Sequence, residues 1–402
     1  MRVDRVRNDL LQCYDAALRE VDGEAVVAGK LADWPGAEPV SLIAVGKAAD
    51  AMARGAFRAL GSRIVDGLLV TKHGHLHDAA GFSALQCYEA DHPIPGLASL
   101  RAGQALLEYC RGLAPDRAVI FCLSGGASSL VEVLRDGVSL DDLQAVTRAS
   151  LAGGEAIAQI NARRRAMSRI KGGRLADFLL ARPVDVLVIS DVEGDDLSVI
   201  GSGLLYAGAD TRPGIRHHLV ATLDQARRAA CRQARALGYP CRVHPQFLGG
   251  PVEKVAAMLA ETLQSAEAGI HVWGGEPVVK LPKSQPDSAT HDDVAGAAVR
   301  IPGRGGRNQH LALLLADQLQ GRRDRAVLVA GTDGTDGPTA DAGALVDGGT
   351  LERGELGGVS ARWARRAYAS GEFLEAAGDL ITTGPTGTNV MDLVIAWIGE
   401  VA

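Results

Sequence analysis

The chain alternates short apolar runs with glycine-rich loops and longer stretches of helical spacing. Val3, Val6, Leu10, Tyr14, Ala17, Leu18 and Val21 recur at three- and four-residue intervals, so residues 3–21 are expected to form an amphipathic helix that packs on something larger. The apolar runs at 41–45, 67–71, 85–89, 118–123 and 184–190 are brief and largely continuous. Such runs predict strands buried on both faces. With helical stretches between them, they predict an α/β fold with a doubly wound, mostly parallel sheet over residues 40–210. The alternation breaks at Ala209-Asp210-Thr211-Arg212-Pro213-Gly214, which gives expected domains of 1–212 and 213–402. Beyond it, strands are expected at 218–221, 241–244, 270–273 and 327–330, and helices at 252–264 and 310–319. Residues 280–300 are polar and loop-like, 379–382 a last strand end, and 390–398 a helix or a strand.

The chemistry lies where the runs stop. The first strand ends in Gly46-Lys47-Ala48-Ala49, a turn that aims backbone N–H groups at an anion, and Lys47 there could neutralise a transferring phosphoryl group. The second ends in Lys72-His73-Gly74-His75, where no third ligand at suitable spacing supports a metal. Asp91-His92-Pro93 comes after the third; the pair could act as acid and base, although a turn-forming Asp is the commoner use. The fourth opens into Ser124-Gly125-Gly126-Ala127-Ser128-Ser129, by composition a nest for an anion. A basic run at 161–174 closes on Lys171-Gly172-Gly173-Arg174; such runs are usually solvated, but this ending suggests a cationic rim. The fifth strand delivers Asp191, with Glu193, Asp195 and Asp196 behind it, suited to a metal ligand or to a base that takes a hydroxyl proton. In the second half, Gly303-Arg304-Gly305-Gly306-Arg307-Asn308-Gln309 opens a helix. The run at 327–330 stops at Gly331, before a loop carrying Asp333, Asp336 and Asp341, and Thr383-Gly384-Pro385-Thr386-Gly387-Thr388-Asn389 is a hydroxyl-and-glycine loop.

At 402 residues, 47% hydrophobic and 22% charged, the chain is globular with ample core. A net charge of −6 gives no electrostatic support to a nucleic-acid partner. No apolar run approaches the roughly 20 residues of a membrane span, and the N-terminus lacks the apolar core of a signal peptide. Six cysteines without paired spacing read as reduced thiols, and the expected location is cytoplasmic. No Walker A, no G-x-S-x-G elbow and no G-x-G-x-x-G fingerprint is present. Glycine loops with Lys, Arg, Ser, Thr and Asp, and almost no aromatics, suit a small anionic ligand handled together with phosphate.

Taken together, Gly46-Lys47-Ala48, Ser124-Gly125-Gly126, residues 170–176, Ile189-Ser190-Asp191-Val192, Gly305-Gly306-Arg307-Asn308-Gln309, residues 331–338 and residues 383–389 resemble the glycerate 2-kinases whose C-terminal region is called the MOFRL domain. The match runs from about residue 5 to the end. The resemblance implies an N-terminal Rossmann-like domain and a C-terminal α/β domain with a mixed sheet, the site lying in the cleft between them. It implies transfer of the ATP γ-phosphoryl group to the 2-hydroxyl of D-glycerate with Mg2+, by a monomer or homodimer. Lys47 and Arg307 are the matched catalytic residues, and Asp191 is the inferred base. Ser124, Gly125, Gly126, Ser128, Gly305, Gly306, Asn308, Thr386, Gly387 and Asn389 would hold the nucleotide. Lys72, His92, Lys171 and Arg174 would face the substrate. Asp333 and Asp336 are the inferred metal ligands, and the roles of Asp191 and Asp333 are open to exchange. The chain departs from the pattern at Gly201-Ser202-Gly203-Leu204-Leu205, at Ala127 and at Ala369-Ser370-Gly371-Glu372. Competing readings are an NAD(P)H-dependent hydroxypyruvate or tartronate semialdehyde reductase, which should carry the missing glycine fingerprint, and a non-catalytic sugar-phosphate sensor, which leaves the acids unexplained.

Overall fold

The computed structural model describes residues 2–77, 79–151, 157–179, 182–206, 208, 213–281 and 303–400. The expected boundary at 209–212 and most of the 280–300 loop lie outside them. The chain forms two compact units, residues 19–223 with 387–390, and residues 1–18 with 224–386 and 391–402.

The first unit is built on six strands: β1 Val40–Val45, β2 Ile64–Lys72, β3 Leu85–Ala90, β4 Ala118–Leu123, β5 Val184–Ile189 and β6 Ile215–Ala221. They lie in the order β3-β2-β1-β4-β5-β6, every pair parallel, as a doubly wound sheet requires. β1 and β5 are buried along their whole length because helices cover both faces, which is why their sequences are unbroken apolar runs. Ile43, Phe121 and Val186 form one core with Leu106 and Ile170. The winding reverses between β1 and β4, so the ends of those two strands leave a crevice in which doubly wound sheets hold ligands. Both ends were singled out by sequence.

The second unit carries β7 Cys241–Pro251, β8 Gly269–Val278, β9 Arg325–Gly331, β10 Gly343–Asp347, β11 Leu380–Ile381 and β12 Asp392–Ile398, in the order β11-β10-β9-β12-β8-β7. Only β7 and β8 pair in parallel, so the sheet is mixed, and the 390–398 run resolves as a strand from Asp392 onward. Trp273, Leu311, Val327 and Phe373 lie in its core. The N-terminal helix Arg2–Glu20 forms as its periodicity requires, but as far as Leu18 it belongs here rather than with 19–223. The Tyr14 hydroxyl donates to the Gly331 carbonyl at 2.6 Å, and Arg7 bridges Asp347 at 2.6 Å and Asp379 at 2.7 Å. A single cut at 212 therefore differs from the compact units in three places: this helix, residues 387–390, and residues 213–223, whose strand β6 was expected to open the second half but pairs with β5 in the first sheet.

One chemical expectation is overturned. Cys231 and Cys241 are joined in a disulfide, whereas all six cysteines were expected to be reduced. The helix Leu223–Ala236 turns directly back into β7, which brings their Cα atoms to 5.6 Å; a spacing of ten residues carries no sign of that return. Cys13, Cys110 and Cys122 are free and buried. Among the described residues no helix is long and apolar enough to cross a membrane.

Candidate active site

In the first unit, β1 ends at Val45 and the chain turns at Gly46 (φ +136°), where a Cβ would fall 2.1 Å from the Ser124 Oγ. The tight pass lets the Ala48 N–H donate to that Oγ at 3.0 Å and the Lys47 N–H to the Gly125 carbonyl at 2.9 Å, tying the turn after β1 to the loop after β4. Gly126 is left-handed (φ +84°), and a Cβ built on it would lie 3.2 Å from Lys47 Cγ and 3.1 Å from the His92 ring. On Gly125 a Cβ would meet the Asp191 carboxylate at 2.2 Å and the Asn389 amide at 2.3 Å. Lys47, His92, Asp191 and Asn389, four residues from distant parts of the sequence, thus surround two glycines. Only glycine admits so close an approach.

Ser128 shares a 2.5 Å hydrogen bond with the Ser202 hydroxyl. The departing Gly201-Ser202-Gly203 segment is therefore a wall of this corner, and the Gly172 N–H donates to the Ser202 carbonyl at 3.0 Å. Lys171 lies beneath: its side chain and that of Glu132 are both 0% exposed and form an ion pair. Burial pushes the Lys171 ammonium down to about 8 against the opposing attraction of Glu132. Arg174, half-buried, donates to the Ser168 carbonyl at 3.1 Å and to that of Arg165. Lys72 closes β2, half-buried. Gly387 belongs to this unit with Asn389, and its carbonyl accepts from the Gly23 N–H at 3.2 Å.

In the second unit, Asp392 at the start of β12 stands opposite Gly331 at the end of β9 and Gly275 in β8. Arg307, first residue of the helix Arg307–Leu319, donates to both Asp392 oxygens, at 2.5 and 3.0 Å, and to Glu276 at 2.7 Å. The two carboxylates hold its pKa well above the ordinary value despite burial, yet the side chain remains 35% exposed. Asp336 accepts the N–H groups of Asn308 at 3.0 Å and Gln309 at 2.7 Å, satisfying two open donors of the helix start. Gly306 passes so close that a Cβ would meet that carboxylate at 2.3 Å, and burial lifts the Asp336 pKa to about 7. Gly305 adjoins Ser370, with its would-be Cβ 2.4 Å from the hydroxyl. Asp333 accepts from the Thr335 N–H at 3.1 Å and hydroxyl at 3.2 Å, and Thr386 donates to the Thr332 carbonyl. Asn308 is 0% exposed, and neither atom of its side-chain amide has a partner among the described residues. Buried unpaired amides are rare, and one beside a charged cluster suits a ligand.

Among the described residues no group of three or more His, Cys, Asp or Glu stands ready to hold a metal. Magnesium on phosphate needs only one or two protein carboxylates, so Asp333 fits that demand, whereas both Asp336 oxygens are committed to the helix. Sequence reasoning missed Glu132 and gave Asp392 no role. The one available signal was a lone acid inside an apolar run: Leu130-Val131-Glu132-Val133 and Val390-Met391-Asp392-Leu393.

Comparison with known proteins agrees with this layout. Residues 9–229 match a domain of unknown function, DUF4147, and residues 269–392 match the MOFRL family. The D-glycerate 2-kinase of Thermotoga maritima is 36% identical over 382 residues, covering 89% of this chain and 90% of that one. A putative hydroxypyruvate reductase of Agrobacterium vitis is 31% identical, with 98% and 94% covered. The crystal structure of the Thermotoga maritima glycerate kinase superposes with a TM-score of 0.81 at 31% identity, covering 98% of this chain and 100% of that one. By fold, by the order of its motifs and by these relatives, the chain belongs to the glycerate 2-kinase family with a DUF4147 N-terminal region and a MOFRL C-terminal region.

Proposed function

We propose that the chain transfers the γ-phosphoryl group of ATP to the 2-hydroxyl of D-glycerate, giving 2-phospho-D-glycerate, in the cytoplasm, as a monomer or homodimer. The observation that carries the reading is the meeting of Lys47, His92, Asp191 and Asn389 on Gly125-Gly126 at the winding reversal of a parallel sheet. Bound ATP supplies the phosphoryl group, and magnesium would neutralise its charge, with Asp333 as the fitting carboxylate. Gly125 and Gly126 leave room for phosphate oxygens against the backbone, and the Asn308 amide offers a donor and an acceptor to the nucleotide. Lys47 offsets charge as it builds on the transferring group. Arg307, held in a fixed direction by Asp392 and Glu276, does the same through its remaining N–H groups. Asp191 accepts the proton leaving the substrate hydroxyl. Lys171 supports the corner from below, through Glu132, rather than touching substrate.

The test is ADP release from Mg-ATP with D-glycerate, with phosphorus NMR to identify the 2-phosphate. A phosphate on the 3-hydroxyl, or no ADP, would reject the reading. The reductase alternative draws support from the strand order, which dinucleotide enzymes share, and from the relative in Agrobacterium vitis. The turn after β1 nevertheless reads Gly46-Lys47-Ala48-Ala49, without the glycines a pyrophosphate needs there. NADH absorbance with hydroxypyruvate is expected to stay flat.

A further inference from the structure

Beside the glycine loop, the described residues leave a half-buried positive charge whose nearest counter-charge is already paired with another cation. Arg164, from the helix Ile157–Met167, donates to the Ser128 carbonyl at 3.2 Å and lies 3.4 Å from the Ser129 hydroxyl. Its Nε–H is buried and has no hydrogen-bond partner among the described residues. Glu132 is the carboxylate whose field reaches it, and burial, opposed by Glu132, lowers its pKa. Glu132 is already committed: one oxygen pairs with Lys171 and the other accepts the Val133 N–H at 3.0 Å. Lys171 and Arg164 thus draw on one buried carboxylate, which also acts on Arg174, and positive charge is in surplus here. Neighbouring guanidiniums turn elsewhere: Arg165 bonds the Ser198 carbonyl at 2.5 Å, its own Nε–H unpartnered among the described residues, and Arg174 bonds the Ser168 and Arg165 carbonyls. Arg164 alone of the three hydrogen-bonds to the Ser128-Ser129 corner, two to three residues from the glycine that Lys47 and His92 approach.

We propose that Arg164 is the residue that takes the carboxylate of the hydroxy-acid substrate, with the paired hydroxyls of Ser128 and Ser202 beside it as neutral donors. The inference rests on the kinase reading and adds to it the group that selects an acid over a neutral polyol. Surplus positive charge suits an anion, and a guanidinium fork matches a planar carboxylate. Polyphosphate would instead draw on amides and a divalent cation.

The test compares wild type with Arg164→Gln, which keeps an N–H donor for the Ser128 carbonyl, and with Arg164→Lys, which keeps charge without the fork. Each is assayed on D-glycerate and on glyceramide, its uncharged analogue. Arg164→Gln should raise the KM for D-glycerate about ten- to a hundredfold and leave the KM for ATP unchanged. The preference for D-glycerate over glyceramide should fall by the same factor, with Arg164→Lys in between. Equal losses on both substrates would mark a structural role and overturn the proposal, as would a raised KM for ATP instead. If wild type phosphorylates no hydroxy acid, the kinase reading fails separately, and calorimetry with D-glycerate decides this one. Binding weakened by Arg164→Gln sustains it; no binding, or binding indifferent to the change, overturns it.

Discussion

Cutting the buried ion pair beneath the glycine loop should destabilise the first unit, and the two ways of cutting it should not be equal. Lys171 and Glu132 have no exposed side-chain surface, so neither charge can turn to water when its partner is removed. Losing one member of such a pair typically costs about 3–5 kcal/mol, while replacing both with apolar side chains is often neutral or stabilising. In Lys171→Met the surviving Glu132 keeps the Val133 N–H and the field of Arg164, which places the cost near the lower end, about 3 kcal/mol. In Glu132→Gln the buried Lys171 and the half-buried Arg164 both lose their carboxylate, which places it near the upper end, about 5 kcal/mol. The double variant Lys171→Met with Glu132→Leu should recover much of the loss. Because a chain of two units need not unfold in one step, amide hydrogen exchange at residues 119–122 of β4 is the fitting assay. The sign in pH also follows. The Lys171 pKa, about 8 when folded, lies below the ordinary 10.5, so the unfolded chain holds the extra proton between those values. Stability from this group should rise as pH climbs from 8 to 10.5, a slope Lys171→Met abolishes. A Lys171→Met cost under about 1 kcal/mol, or a Glu132→Gln cost below that of Lys171→Met, would refute the reasoning.

Lys47→Ala should lower kcat about 100- to 1,000-fold with an unchanged melting temperature, and near-normal turnover would remove its assigned role. Arg307→Lys keeps the charge but loses the two-pronged grip on Asp392, so a fall in kcat with little change in KM is expected in steady-state kinetics. Gly125→Ala places a methyl group 2.2 Å from the Asp191 carboxylate and should cost about 1–3 kcal/mol and most of the activity, read by melting and ADP release together. His244 donates or accepts a 2.9 Å hydrogen bond with His271 and stacks on Trp273, and burial, with His271 and Arg242, pulls its pKa down to about 4. A folded value below the ordinary 6.5 means stability is lost as pH falls from 6.5 toward 4, and a melting curve series should show that slope flattened in His244→Gln.

The candidate site residues at strand ends were legible because apolar runs mark the strands, and a glycine-bearing loop begins where each run stops. Lys47, Gly125 and Asp191 lie in loops of that kind, whereas Arg307 stood out through the glycine-arginine run that opens its helix. Partnerships across the fold were not legible, since nothing along the chain announces that Asp392 will stand opposite Gly331 and Gly275, or that Glu132 will meet Lys171. Asp336 was expected on the metal, and its carboxylate instead reaches back to start a helix whose first residue is 29 positions earlier. The amphipathic helix at the N-terminus was visible from its period, while its sheet was not, because an apolar stripe specifies a surface to cover and not which one.

The tetrapeptide Gly387–Val390 counts with the first unit although the residues on either side of it count with the second. Expressing residues 19–223 by themselves would therefore yield a fragment lacking Asn389, one of the groups pressed against Gly125. A fragment made of residues 224–402 would in turn lack Tyr14, whose hydroxyl holds the carbonyl at the end of β9. Domain dissection by one scissor cut is thus closed to this chain, and complementation of split halves would need a short transplanted linker to restore both.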